Sequence, residues 1–351
     1  MDNAPHTRYK VPERSYSSIV KKEIHKLAAS IGLTSTRLAE TDIVVSEMIS
    51  NLNKHTPEGE LLVKPVLDNY NRLGIEIISI DGGKGIENLS EMIKDGKSTA
   101  GTLGQGLGAI RRLSDNFDIY SLPGWGTIVL SRIFTSTKTD NINKTLFGIN
   151  ALMLPKNGED LCGDGWTFYK QGASVKLIAL DGLGHGPEAH KASEKAVKEF
   201  TELQGVTPSD TIRILHRKIR DTRGAVGMIF HFDSVVNMLA YAGLGNISAK
   251  IINPESTKNL MSYNGIIGHT IPNTINSNTI SWHPNDTLII YSDGLKSRWD
   301  LIQLPNILHY DGSVLAAALY KDLSRKTDDL LIIVIKSLKY ENRGNKIRYQ
   351  Q

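Results

Sequence analysis

The stretch Gly101-Thr-Leu-Gly-Gln-Gly-Leu-Gly108 runs directly into Ala-Ile-Arg-Arg-Leu-Ser, whose apolar spacing predicts the start of a helix. Four glycines in eight residues let the backbone approach a ligand closely and offer its N–H groups to phosphate oxygens. The N-terminus of the following helix adds the positive end of its dipole. The stretch therefore predicts a phosphate-binding loop, although a single glycine-rich loop is more often a plain turn.

Three further sequence segments, two upstream and one downstream, favour a nucleotide-binding site over a plain turn. The segment Asp81-Gly-Gly-Lys-Gly85 follows the predicted strand Leu73–Ile80, where a carboxylate can accept a hydrogen bond from an exocyclic amine. Glu47 and Asn51 lie four residues apart in a predicted helix and so share one face. That pair suits a carboxylate that takes a proton and an amide oxygen that holds Mg²⁺ on a triphosphate. The segment Gly124-Trp-Gly-Thr127 leads into a closing strand.

Residues from about 8 to 134 resemble the GHKL (Bergerat-fold) ATPases, and among them the RsbT-type serine kinases of bacterial stress signalling. The resemblance implies an α/β sandwich that binds ATP and Mg²⁺ and phosphorylates Ser or Thr of another protein. It implies Glu47 as the catalytic base and Asn51 as both a nucleotide-site residue and the Mg²⁺ ligand. The other nucleotide-binding positions that it implies are Asp81, Gly83, Gly85, Gly104, Gly106, Gly108 and Thr127.

Acidic residues border apolar stretches in the second half of the chain. Asp181 and Asp293 each follow a predicted strand, Asp328-Asp329 precede another, and Asp164 stands between two glycines. Carboxylates gathered at neighbouring strand ends repel one another unless a cation compensates them. Hard oxygen ligands suit Mg²⁺ or Mn²⁺. One Asp-Gly pair is usually a turn, but four such sites predict a shared centre in which a pair of metal ions acts on a phosphate.

Residues from about 147 to 336 resemble the PP2C-like phosphatases of the SpoIIE family, most closely the RsbX type. The matching motifs, besides the aspartates, are Thr222-Arg-Gly-Ala-Val, Ala242-Gly-Leu-Gly-Asn-Ile and Ser292-Asp-Gly-Leu-Lys-Ser-Arg-Trp-Asp. The resemblance implies an αββα sandwich with two Mn²⁺ or Mg²⁺ ions. The family's roles fall on Asp181 as bridging ligand, the Gly182 carbonyl, Asp293 and Asp328 as further ligands, and Asp164 as the residue that orients water.

One position departs from the eukaryotic PP2C pattern. That pattern has a histidine two residues after the bridging aspartate, whereas this chain has Leu183 there, as the SpoIIE branch does. His185 is therefore not its equivalent, and a helix entrance is the better interpretation of it.

The domain organisation follows from length and composition. At about 150 residues per domain, 351 residues predict two domains of α/β (α+β) class. The predicted boundaries are a kinase domain at 1–137, a polar linker at 138–146, a phosphatase domain at 147–337 and a basic tail at 338–351. Predicted elements of the second half include strands at Val235–Tyr241 and Leu330–Lys336 and a helix at Ser313–Leu323.

Composition excludes several classes of protein. Hydrophobic residues make up 40% and charged residues 22%, as in an ordinary globular chain. The longest apolar run, Leu330–Ile335, is too short for a membrane helix, and Met1–Lys22 has no signal-peptide core. The single cysteine, Cys162, cannot form an intrachain disulfide. These features predict a cytoplasmic protein with no membrane partner.

Net charge gives little information about the function. It is +4, and most of the excess lies in the last fifteen residues, without aromatic residues that would stack on bases. A solvated terminus is therefore a better interpretation than a nucleic-acid contact.

The predicted function is a bifunctional signalling enzyme. One domain would phosphorylate a STAS-type regulatory partner with ATP, and the other would hydrolyse phosphoserine or phosphothreonine. An alternative keeps only the phosphatase catalytic and treats the first domain as an ATP-dependent binding module for an anti-anti-sigma or sigma factor. Glu47 and Asn51 argue against it, because binding alone needs no base. A third, weaker interpretation is a nucleic-acid-binding regulator.

Overall fold

The structure is a computed structural model that describes residues 3–10, 14–56, 59–68, 71–89, 106–136, 147–171 and 174–337. The chain forms two compact units. The described part of the first unit comprises the residues up to 136 together with Leu304–Lys321, and that of the second comprises residues 147–303 and 322–337. The predicted linker and basic tail lie outside the described residues. Within the described ranges, no helix combines the length and apolar character needed to span a membrane.

The first unit is built on one antiparallel sheet with strand order β1-β2-β3-β5-β4. Its elements are β1 Thr7–Lys10, α1 Arg14–Ser30, α2 Ser35–His55, β2 Glu60–Leu67, β3 Leu73–Ile80, α3 Gly106–Leu113, β4 Asn116–Leu122 and β5 Gly126–Phe134. Alternate strand residues such as Val63, Ile77 and Val129 pack with the apolar faces of the helices in one core. Thr34 caps α2, its hydroxyl accepting a hydrogen bond from the Arg37 N–H at 3.4 Å.

The second face of this sheet is also buried, and the segment Leu304–Lys321 belongs to the same unit. Tyr120 on β4 donates its hydroxyl to the Pro305 carbonyl at 3.1 Å, and Arg132 on β5 makes a bidentate pair with Asp311 at 2.7 and 2.8 Å. The segment carries most of helix α6, Gly312–Leu323, in which residues 312–320 are all buried. The predicted phosphatase domain, 147–337, includes this segment. The structure instead groups Leu304–Lys321 with the first unit.

The second unit contains two five-stranded antiparallel sheets. Sheet I has the order β13-β10-β9-β8-β7, and sheet II has the order β12-β11-β14-β15-β6. The elements are β6 Phe147–Leu154, β7 Asp164–Gln171, β8 Ser174–Gly182, α4 Pro187–Glu202, α5 Pro208–Lys218, β9 Ala225–Asp233, β10 Met238–Leu244, β11 Ser248–Ile252, β12 Thr257–Leu260, β13 Asn278–Ser281, β14 Thr287–Tyr291 and β15 Leu330–Ser337.

The two sheets share one apolar core. Leu177 and Phe230 of sheet I lie in the same buried cluster as Leu288 and Ile333 of sheet II. The opposite face of sheet I packs against α4 and α5, through residues such as Phe200 on α4. Alternation along each strand therefore serves two cores, which is why these strands read as nearly continuous apolar runs.

The predicted strand Val235–Tyr241 begins too early. Val235 and Val236 are 73% and 61% exposed, and Asn237 has φ of 52°, so these residues form the turn between β9 and β10. The strand starts at Met238. Two valines suggested a strand, but a left-handed asparagine after them reverses the chain instead.

Candidate functional site

The predicted metal ligands meet where the strands of both sheets end in the second unit. Asp164 opens β7 and stands directly opposite Asp181 near the end of β8. Gly182 donates its N–H to the Gly163 carbonyl at 3.1 Å, and a side chain there would meet the Ala189 carbonyl at 2.3 Å. Packing therefore requires glycine at position 182.

Ser292 connects the two sheets at this point. It follows β14, it is 1% exposed, and its hydroxyl donates to Asp164 Oδ2 at 2.7 Å while accepting from the Leu331 N–H at 2.9 Å. Asp293 comes next in the chain and accepts a 2.8 Å hydrogen bond from the Asn246 amide. Ser292 lies within a motif quoted above, but no role was predicted for it. Its position as a polar residue directly after a buried strand is the feature of the sequence that could have indicated one.

Asp329 is a second residue without a predicted role. It is buried, and its Oδ1 accepts from the Lys156 N–H at 2.9 Å. Together with Asp164, Asp181, Asp293 and Asp328 it forms what we term the acidic cluster. Among the described residues, Asp329 Oδ2 and Asp164 Oδ1 are buried carboxylate oxygens that have no hydrogen-bond partner.

The electrostatics of the acidic cluster show that these carboxylates act on one another. Burial, followed by the charges of Asp293 and Asp328, raises the pKa of Asp181 to about 8. Burial and the charge of Asp181 raise the pKa of Asp164, against a lowering hydrogen bond from Ser292. Burial also raises the pKa of Asp293 and of Asp329. Like charges in a buried setting disfavour ionisation, so the cluster calls for a compensating cation.

The donor set fits hard divalent cations, since all five side chains of the acidic cluster are carboxylates and two of their buried oxygens have no hydrogen-bond partner among the described residues. Within the described ranges, however, no three acidic, histidine or cysteine side chains already converge on one point as metal ligands. Ions such as Mg²⁺ commonly keep several water ligands and take few protein oxygens directly. The arrangement is therefore compatible with ions held partly through water.

His185 lies on the rim of this region. Its Nδ1 is 2.9 Å from Glu159 Oε1, and the ring is about half exposed. Cys162 is buried, and burial raises the pKa of its thiol well above the ordinary value. It therefore behaves as a core residue, as expected.

The predicted nucleotide residues of the first unit fall into two groups. In the first, a Cβ on Gly106 would lie 2.8 Å from Glu47 Oε2 and 3.7 Å from Asn51 Oδ1. The start of α3 thus approaches the shared face of α2 closely. Gly108 is buried in the same helix. Gly104 lies outside the described residues.

The second group surrounds Asp81. Its Oδ1 accepts from the backbone N–H groups of Gly83 at 2.8 Å and Thr127 at 3.2 Å. Gly85 has φ of 71°, and a Cβ there would meet the Leu122 carbonyl at 1.9 Å, which excludes other residues. Ser121, unpredicted, joins the group through a 2.9 Å hydrogen bond to the Thr127 hydroxyl.

Comparison with known proteins gives a relative for each half. The serine/threonine-protein kinase RsbT of Bacillus subtilis (strain 168) is 33% identical over 101 residues, which are 29% of this chain and 75% of RsbT. The chain belongs to the RsbT family. The family model described as "Stage II sporulation protein E (SpoIIE)" matches residues 171–337, so the second half contains a SpoIIE-type domain.

Solved structures also align with about half of the chain. One described as "The bacterial stressosome: a modular system that has been adapted to control secondary messenger signaling" is 27% identical, with a TM-score of 0.51, covering 54% of this chain and 99% of that one. RsbX in complex with magnesium is 19% identical, with a TM-score of 0.48, covering 56% of this chain and 97% of RsbX.

Proposed function

We propose that the chain is a bifunctional regulator of protein phosphorylation. Its SpoIIE-type half is a metal-dependent phosphatase for phosphoserine or phosphothreonine, and its RsbT-type half is an ATP-dependent serine/threonine kinase. The observation that carries the proposal is the acidic cluster, in which five buried or partly buried carboxylates meet at the ends of both sheets and raise one another's pKa values. The RsbT relationship and the SpoIIE match support a STAS-domain regulatory protein as the partner.

In the phosphatase half, Asp181, the Gly182 carbonyl, Asp293 and Asp328 would hold two Mn²⁺ or Mg²⁺ ions. Such ions, when bound, polarise a phosphate and lower the pKa of water. Asn246 fixes the Asp293 carboxylate through its 2.8 Å hydrogen bond.

Asp164 has a distinct part in this scheme. Ser292 holds its Oδ2, which leaves Oδ1 buried and without a partner among the described residues. That oxygen would accept a hydrogen bond from a water molecule at the metal site and orient it. Asp164 would thus position the water, and Ser292 fixes its carboxylate.

In the kinase half, Asp81 and Thr127 would contact the adenine, while Gly83 and Gly85 allow its close approach. Asn51 would hold Mg²⁺ on the triphosphate, and the glycines of 104–108 would face its phosphates. Glu47 would take the proton from the acceptor hydroxyl. Most of the catalysis of phosphoryl transfer comes from positioning and charge stabilisation, which this arrangement of backbone donors suits.

The proposal is tested with the full chain, a STAS-domain protein and its phosphorylated form. With Mn²⁺, release of inorganic phosphate should be lost in Asp181→Asn and retained in Asp160→Asn, which changes an exposed aspartate. With labelled ATP, transfer to the STAS protein should be lost in Glu47→Gln and retained in Glu194→Gln, an exposed residue of α4. Transfer that survives Glu47→Gln would favour the binding-module alternative for the first half.

A further inference from the structure

A cavity of about 420 Å³ lies at sheet II of the second unit and includes none of the proposed catalytic residues. We name it the β11 cavity after the strand that supplies Ser248 and Lys250 to its wall. Their neighbours on β11, Ala249 and Ile251, belong to the core between the sheets. Because side chains alternate along a strand, Ser248 and Lys250 lie on the opposite face of the sheet.

Lys250 is the unusual member of the wall. It is only 8% exposed, and its Nζ donates to the Trp299 carbonyl at 3.1 Å and lies 3.9 Å from the centre of the Trp299 indole. Among the described residues it forms no ion pair with a carboxylate. Burial lowers its pKa, against the charge of Asp300. An ammonium group has three donors, and the carbonyl accounts for one of them.

The rest of the wall also offers donors. The Trp299 indole N–H is buried and makes no hydrogen bond of ordinary geometry within the described ranges, although it lies close enough to the Tyr291 hydroxyl to act on the pKa of that group. Arg298 adds an exposed guanidinium, and Ser248 and Ser297 add hydroxyls. A buried ammonium and a buried N–H without an ordinary hydrogen bond in one cavity match an acceptor that carries negative charge, because donors left unpaired in a buried site are costly.

We propose that the β11 cavity binds the carboxylate or phosphate group of an acidic ligand, with Lys250 and the Trp299 indole as its inner donors and Arg298 at its mouth. The walls of the β11 cavity are linked along the chain to the candidate phosphatase centre. Asn246, two residues before β11, holds Asp293, and Trp299 follows Asp293 by six residues in the same loop. The binding site itself does not depend on the proposed phosphatase activity.

The test uses the indole N–H resonances of the ¹⁵N-labelled full chain, which has four tryptophans. Trp299→Phe identifies the Trp299 signal. Addition of inorganic phosphate, or separately of acetate, should shift that signal saturably because its N–H gains an acceptor. Lys250→Met should weaken this binding by about tenfold or more, since it removes a buried charge that faces the anion. Arg298→Gln, at an exposed position, gives an independent and smaller loss.

Lys176→Met is the matched control. Lys176 is also a strand lysine, 7% exposed, with a pKa lowered by burial, but it lies in sheet I. Its removal should leave anion binding unchanged. A shift of the Trp299 signal that persists in Lys250→Met, or the absence of any saturable shift in the wild type, would overturn the proposal and leave Lys250 as a packing residue held by its contact with the indole.

A second arm identifies the source of the anion. A blocked tetraglutamate peptide is titrated beside acetate and phosphate. Tighter binding by the peptide, lost in Lys250→Met, assigns the cavity to acidic side chains of a protein. Binding that is no tighter than that of the free anions, and equally dependent on Lys250, assigns it to a small molecule.

Discussion

Each unit of this protein buries a cluster of charged residues, and the two clusters are built in opposite ways. In the first unit, Glu76 accepts from Arg132 Nε at 2.7 Å and from the Ser313 hydroxyl at 2.8 Å, and His6 Nε2 lies 3.2 Å from it. Arg132 also pairs with Asp311. We term this group the ion-pair cluster. The acidic cluster of the second unit holds five aspartates, and two of their buried oxygens have no hydrogen-bond partner in the part of the chain that the structure describes.

The pKa directions express the same difference. Burial alone would raise the pKa of Glu76, but the charge of Arg132 and the hydrogen bond from His6 outweigh it and lower that pKa. In the acidic cluster, burial and neighbouring charge act together and raise the pKa of Asp181. A cluster whose charges are paired is complete within the protein and stabilises the fold. A cluster of like charges without such pairing needs a cation from outside the chain, which marks a binding site.

The largest expected effect comes from breaking the ion-pair cluster. Arg132→Met removes the guanidinium that pairs with both buried Glu76 and partly buried Asp311, and should lower the free energy of unfolding by about 3–5 kcal/mol. Urea unfolding followed by circular dichroism measures it, with exposed Arg111→Met as the control. Adding Glu76→Gln and Asp311→Asn to Arg132→Met should recover part of the loss. A loss below about 1 kcal/mol, the range of surface pairs, would show that the cluster is not a structural anchor.

The same kind of change in the acidic cluster should have the reverse effect on stability. Asp181→Asn removes one of several buried like charges, so the metal-free protein should melt at the same or a higher temperature than the wild type. Phosphatase activity should fall by at least about 10²-fold, as for loss of a group that organises a metal site. A melting temperature several degrees lower, with activity retained, would mean that Asp181 is structural.

Ser292→Ala should have an intermediate effect. The change frees Asp164 Oδ2 and leaves the buried Leu331 N–H without its partner, so we expect activity to fall by about 10–100-fold. Stability should fall by about 1–3 kcal/mol for the unsatisfied groups. Ser256→Ala, in an exposed turn, is the control. The assay is phosphate release across a Mn²⁺ series; an unchanged rate with the same loss of stability would confine Ser292 to packing.

The smallest effect is a difference in pH dependence. The raised pKa of Asp181 means that the native state keeps a proton that the unfolded chain loses, so its contribution favours folding at low pH and is lost as pH rises from about 4 to about 8. The lowered pKa of Glu76 has the opposite sign, and its contribution is lost as pH falls below the ordinary glutamate range.

Urea midpoints across pH, in the presence of a chelator, measure both slopes. Asp181→Asn should flatten the loss of stability toward high pH, and Glu76→Gln should flatten the loss toward low pH. Identical pH profiles for wild type and Asp181→Asn would contradict the raised pKa of Asp181.

Most of the acidic cluster was predictable from sequence because Asp181, Asp293 and the pair Asp328-Asp329 each border a predicted apolar strand, and strand ends are local features. The pairing of Asp164 with Asp181 needed only the two flanking strands to be antiparallel neighbours. The same holds for Gly106 beside Glu47, since glycine-rich motifs record close backbone approach. These motifs located the candidate sites without the fold.

The ion-pair cluster was not predictable. Arg132 and Asp311 are 179 residues apart, and no local pattern around either residue indicates the other. Helix α6 was predicted at nearly its observed position, but residues 312–320 are buried all round, so no apolar stripe indicates which sheet they cover. Assignment of Leu304–Lys321 to the first unit depends on contacts that no local pattern records.

The central claim is that the acidic cluster is completed by divalent metal. The direct measurement is calorimetric titration of Mn²⁺ into the metal-free full chain, wild type beside Asp181→Asn and Asp160→Asn. We predict saturable binding of two ions by the wild type and by Asp160→Asn, and loss of binding in Asp181→Asn. No saturable binding in the wild type, or equal binding in all three proteins, would contradict the account.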